Sequence, residues 1–130
     1  MKTPDQINLP ADLRYHKEHT WIKKDGDTCL VGISDYAQEQ LGEVAFVDMP
    51  QAGTHFNAGD EFGTVESLKS VNALFMPVSG TVVEVNAALE DTPTLVNASC
   101  YGEGWIIRIK ADDAAEADGL LDGEAYRRGL

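Results

Sequence analysis

From Glu43 to Lys110 the chain reads as short β-prone runs cut by glycine, proline and asparagine: Val44 to Val47, Glu61 to Ser67, Val71 to Met76, Thr81 to Val85, and Trp105 to Lys110. That punctuation constrains the fold more than any other feature. Many short strands with frequent turns predict a barrel or a sandwich, so the fold class is mainly β. Val83 and Val85 alternate with Glu84, and Ile107 and Ile109 with Arg108, as strands with one buried and one wet face do.

The flanking segments fit around such a core. Trp21-Ile22 and Thr28 to Ile33 enclose Asp25-Gly26-Asp27, which predicts a hairpin with an Asp-Gly turn. Ser34-Asp35 offers an N-cap for Tyr36 to Leu41, with Gly42 as the stop, which predicts one short internal helix. Asp112 to Leu121 and Glu124 to Arg128 read as two short helices outside the β core, acids early and arginines late to suit the helix dipole. Before Leu13 stand two prolines and few large apolar groups, so residues 1–12 are expected to be an extended arm on the surface. Residues 13–130 are then one domain, the size at which a single core is the rule. A weak internal echo links Gly53-x-x-Phe56-x-x-Gly59-Asp60-x-Phe62 to Gly80-x-Val82-x-x-Val85, two half-motifs that would meet at Lys69.

Charge and motifs exclude several classes of function. The net charge of −12 repels phosphate backbones and anionic lipid, so neither nucleic acid nor membrane is expected as a partner; it suits docking onto basic protein surfaces. The N-terminus lacks the apolar core of a signal peptide and no apolar run could cross a bilayer, so a cytoplasmic location is expected. Cys29, in a strand, and Cys100, in a loop, show no CxxC spacing and are expected as free thiols. His16 and His19 lack a carboxylate or cysteine at metal-ligand spacing, so no metal site is expected. No GxGxxG, phosphate loop or Gly-x-Ser-x-Gly elbow occurs, the acids are dispersed, and no catalytic residue is assigned.

Lys69 remains. It lies in Glu66-Ser67-Leu68-Lys69-Ser70 between two runs that read as strands, followed by Pro77 and a Ser79-Gly80 turn. A lysine in a turn is ordinarily a solvated charge. At a hairpin tip, though, its amine is open to a modifying enzyme while the strands fix its direction, which is how a chain would present a swinging prosthetic group.

The run GTVESLKSVNALFMPVSGTVVEVN resembles the lipoyl-lysine segment of the glycine cleavage system H proteins. The resemblance extends to Tyr15 through Trp21, Val31 through Gln38, Leu41 through Val44, Leu95-Val96-Asn97 and Tyr101 through Trp105, and so covers nearly all of residues 13 to 128. It implies a hybrid barrel-sandwich fold and a non-enzymatic, monomeric lipoyl-carrier domain over 13–130, with lipoic acid in amide linkage on Lys69. Its implied partners are a pyridoxal-phosphate glycine decarboxylase, a tetrahydrofolate-dependent aminomethyltransferase, a flavin lipoamide dehydrogenase and the lipoylating enzymes. The first would load an aminomethyl group, the second would consume it and the third would reoxidise the dithiol by disulfide exchange. Biotinyl domains place methionine on both sides of the lysine, where Leu68 and Ser70 stand.

Two positions depart from the family pattern. Thr20 and Ala73 stand where acids are common, and in the family those acids help line the cleft that shelters the loaded arm. Glu18 or Glu66 would have to compensate. The departures open an alternative, an H-like lipoyl carrier of another pathway such as the lipoate-binding proteins of sulfur oxidation; Lys69 has the same role in both. A third reading is an unlipoylated H-like protein that regulates or docks.

Overall fold

A computed structural model describes residues 3–130; Met1 and Lys2, part of the expected arm, lie outside the described residues. The expectation of a mainly β chain is met by nine strands in two antiparallel sheets. The strands are β1 (Arg14–Tyr15), β2 (Thr20–Asp25), β3 (Thr28–Ile33), β4 (Val44–Asp48), β5 (His55–Phe56), β6 (Glu61–Ser67), β7 (Val71–Phe75), β8 (Gly80–Val85) and β9 (Ile107–Ala111). The larger sheet has the order β1-β2-β3-β9-β8-β5 and the smaller β4-β6-β7. The hairpin at Asp25 forms as the Asp-Gly turn requires, with six paired positions from Thr20↔Ile33 to Asp25↔Thr28.

The echoed half-motifs pair with one another, since Phe56 of β5 opposes Gly80 of β8. They do not meet at Lys69, which caps a different hairpin, β6–β7. Apolar residues of both sheets interleave in one core that includes Val31, Val47, Val65, Met76, Val82 and Ile107. Leu13, Tyr15, Trp21 and Tyr126 form a second cluster, in which Tyr15 and Tyr126 stack at 5.0 Å. Trp21 is fully buried and donates its indole N–H to the Cys100 carbonyl at 3.0 Å, so its one polar atom is satisfied.

Helix α1 (Asp35–Leu41) has the expected ends: Ser34 Oγ accepts from the Ala37 N–H, and the Gly42 N–H donates to the Gln38 carbonyl. It is not the sole internal helix. Single-turn helices α2 (Ala88–Asp91) and α3 (Leu95–Ala98) follow β8, and each lacks a side-chain N-cap bond, the signal by which a helix start is read. Both helical tail segments form, the first as a 3-10 stretch (Ala114–Gly119) and the second as α4 (Gly123–Arg128), capped by Asp113 and Asp122.

The arm differs from its expectation. Pro4–Gln6 make a 3-10 turn, Ile7 is buried, and Asn8 is gripped on both sides of its backbone. Its N–H donates to Asp35 Oδ2 at 2.8 Å and its carbonyl accepts from the Tyr101 hydroxyl at 2.6 Å. Backbone groups lying against the fold need such partners, and proline content does not reveal where they are. Cys29 sits in β3 and Cys100 in a loop; both are buried and neither is in a disulfide, and burial pushes the Cys29 thiol pKa up.

Candidate functional site

Lys69 lies at the tip of the β6–β7 hairpin, where a four-residue turn is closed by the Ser67 N–H donating to the Ser70 carbonyl at 2.9 Å. Ser67 Oγ accepts from the backbone N–H of Ser70 at 3.2 Å and of Lys69 at 3.3 Å, so one serine organises the turn from inside. The neighbouring side chains point to solvent: Leu68 is 87% exposed and Val71 61%. Phe46, opposite Glu66 on β4, is 52% exposed because a bulge between Val44 and Phe46 breaks the alternation of that strand. Three of the five large exposed apolar residues thus surround the tip.

The lysine itself is isolated in charge. It is the one lysine or arginine between Asp25 and Ile107, and it enters none of the ion pairs found among the described residues. Its side chain lies against Gly42 at the end of α1: a Cβ at that glycine would stand 3.2 Å from Lys69 Cε and 3.6 Å from Nζ. Gly42 has φ +77 and ψ −159, a conformation essentially confined to glycine, so the open surface beneath the lysine stem is a consequence of the backbone there. No basic residue occupies the last turn of α1, and the Lys69 ammonium meets the negative end of that helix.

Beside the tip runs a cleft of about 490 Å³. One wall is β7, the outer strand of the small sheet, through Val71 to Phe75; the other is α1, through Tyr36, Ala37, Gln40 and Leu41; Glu18 and His19 line it as well. Pockets of a few hundred Å³ with largely apolar walls accept small organic groups. A dithiolane with its aliphatic chain meets those terms, and an exposed amine at the edge of the cleft is the attachment it needs, so the residues present fit lipoic acid on Lys69.

The two departures part company here. Ala73 lines the cleft, but Thr20 does not; it is 1% exposed and its hydroxyl donates to the Phe75 carbonyl at 2.9 Å, tying β2 to the end of β7. Glu66 is outside the cleft, in a cross-strand row with Phe46 and Val71, whereas Glu18 is on its wall. Sequence reasoning missed His19 as a cleft residue. It has φ +76, held by its N–H donating to the His16 carbonyl and its own carbonyl accepting from the Ser34 N–H. Its Nδ1 is 2.6 Å from the Tyr126 hydroxyl, which is 2.7 Å from Ser34 Oγ.

Because Ser34 Oγ already accepts from Ala37, it is free to donate to Tyr126, whose own proton then points at an unprotonated Nδ1. Burial lowers the His19 pKa and so favours the same neutral ring, while burial raises the Tyr126 hydroxyl to about 12. His16, lowered by the same cause, is not on the cleft, and no group of three metal-binding side chains occurs among the described residues.

A family model described as Glycine cleavage H-protein matches residues 13–130. The glycine cleavage system H protein of Bacteroides fragilis is 52% identical over 93% of this chain and 96% of its own length. That of Symbiobacterium thermophilum is 50% identical over 92% and 93%. A crystal structure of a glycine cleavage system H protein from Mycobacterium marinum superposes with a TM-score of 0.84 at 36% identity, over 94% of this chain and 100% of that one. The architecture agrees with the barrel-sandwich hybrid anticipated from the resemblance.

Proposed function

The chain belongs to the glycine cleavage H-protein family, and on that premise we propose that it is the lipoyl carrier of a glycine cleavage system, with lipoic acid in amide linkage on Lys69. It is a carrier and not a catalyst. It would exchange an aminomethyl unit between a pyridoxal-phosphate glycine decarboxylase and a tetrahydrofolate-dependent aminomethyltransferase, and electrons with lipoamide dehydrogenase, after acylation by lipoylating enzymes. The observation that carries this reading is an isolated lysine on an exposed hairpin tip at the edge of a cleft large enough for the arm. A bound lipoyl group supplies a dithiolane able to take up and release both cargoes.

The chain's own residues do the remaining work. The Ser67 turn holds the attachment point out from the sheet, and the apolar side chains of Leu68, Val71 and Phe46 frame it for the enzymes that must reach it. The walls of the cleft shield one side of whatever the arm carries from solvent. Glu18 supplies the one carboxylate among the cleft residues, placed to hold a protonated amine where Thr20 and Ala73 offer no charge. Relatives about 50% identical and named for glycine cleavage favour this pathway over the sulfur-carrier alternative.

Intact mass of protein from its native cells, grown with lipoate, should show one lipoyl increment that is absent from Lys69→Arg. An unmodified wild type overturns the reading. Lipoylated protein should then support exchange of glycine carboxyl with bicarbonate by its decarboxylase, and absence of exchange would favour the sulfur carrier.

A further inference from the structure

Lys69 rests on Gly42, and Gly42 in turn is held by a residue from a distant part of the chain. Asn97, in α3, donates from Nδ2 to the Gly42 carbonyl at 2.8 Å and to Gln38 Oε1 at 3.1 Å. Its Oδ1 accepts from the Val44 N–H at 2.8 Å. One side chain therefore clamps the peptide groups on both sides of Glu43. Gln38 is fixed from the other end by donating to Asp35 Oδ1 at 2.7 Å. The same bonds tether α3, whose buried residue is Val96, to the end of α1. Its effect is to hold a bare backbone surface against which Lys69 Cε lies, one residue past Leu41 of the cleft wall; Gly42 and Asn97 themselves line a separate hollow with Gln38, Glu39, Glu43 and Thr94.

We propose that Gly42, clamped by Asn97, is a seat for the stem of residue 69 that limits the swing of the lipoyl arm at the α1 end of the cleft. This makes Asn97 a positioning residue that touches neither the arm nor its cargo. The inference rests on lipoylation of Lys69 for its functional meaning, but the seat itself is a property of the lysine stem with or without the acyl group. A contact between methylenes and a glycine backbone persists when acylation removes the ammonium charge, since it depends on shape and not on charge.

The test uses the full chain in both forms. Nuclear Overhauser contacts between the Lys69 ε-methylene and the Gly42 α-protons are expected in the wild type, and are expected to be lost in Asn97→Ala and in Asn97→Asp. The aspartate retains the acceptor for Val44 while turning a carboxylate oxygen on the Gly42 carbonyl, and amide dispersion in the same spectra checks that each variant is folded. In the lipoylated, reduced protein, alkylation of the dithiol by iodoacetamide should speed up at least about fivefold in both variants, the population change that loss of the bond to Gly42 alone corresponds to. Val96→Ala, which loosens the same helix without touching Gly42, should leave both readouts as in the wild type. Absence of the contact in the wild type, or equal effects of Val96→Ala and the Asn97 variants, overturns the seat. Intact mass separates the two readings: a chain without the lipoyl increment that still shows the contact keeps the seat and loses the carrier function, and a lipoylated chain without the contact does the reverse.

Discussion

Two hairpins of similar length end in opposite ways. At the β2–β3 tip the side chains that flank the turn are tied to one another: Arg108 donates to Asp25 Oδ2 at 2.8 Å and to Thr28 Oγ1 at 2.9 Å, and the Thr28 hydroxyl donates to the Asp25 carbonyl. At the β6–β7 tip the backbone is equally well tied, through Ser67, while Leu68 is left in solvent and the exposed Lys69 enters no ion pair among the described residues. The first turn spends its side chains on stability, and the second keeps backbone order but withholds its side chains for other molecules. A tip becomes an attachment point when the main chain is fixed and the amine at its end is exposed and bound to no acid.

The strongest way to break that contrast is to exchange the tips. Moving the lysine, as Asp27→Lys with Lys69→Arg, should give no acylated product at all by intact mass in lipoylating cells, because neither the cleft nor Gly42 lies beside Asp27. Acylation at residue 27 would show that any hairpin lysine suffices. A smaller effect is expected from Gly32→Ala in the closed hairpin, where a Cβ would stand 2.8 Å from the ring of the fully buried Trp21. Overpacking of that kind should cost about 1–3 kcal/mol by chemical denaturation.

Tyr126→Phe removes the hydroxyl that joins His19 to Ser34 and should cost about 1–2 kcal/mol. The same site gives a pH dependence. The His19 pKa in the folded chain is below the ordinary 6.5, so the unfolded chain takes up the proton first as pH falls. The contribution to stability is complete above pH 6.5 and is lost as pH drops through the depressed folded value. His19→Gln should flatten that acid limb in part, His16 continuing to act in the same direction. The smallest effect belongs to the open tip: Leu68→Ala should change stability by less than about 0.5 kcal/mol, since the side chain is already in water.

How much of this was legible depended on how local the signal was. The Asp-Gly turn, the Ser34 and Gly42 ends of α1, and Lys69 between two strands are written within a few residues of one another. Strands β1 and β5 are two residues long and exist through their pairing to β2 and β8, so no run of β-formers marks them. Helices α2 and α3, one turn each, are likewise held by their surroundings and not by caps. The cleft was legible as a family expectation, but its walls were not. Thr20 belongs to a strand whose first three residues are all buried, so alternation could not tell which way it faces. His19 enters the site through a left-handed backbone that no local pattern announces. The link from Asn97 to Gly42 spans 55 positions and is visible only in three dimensions.

The placement of β7 at the outside of its sheet has a consequence for how copies of this protein behave toward one another. An outer strand with free backbone groups is a template on which another chain can add a strand and begin to aggregate. Here α1, Glu18 and His19 face that strand across the cleft, and the Thr20 hydroxyl occupies the Phe75 carbonyl. A second strand pairing there would first meet the side chains of α1, Glu18 and His19, so the residues that wall the cleft also cover this edge of the sheet.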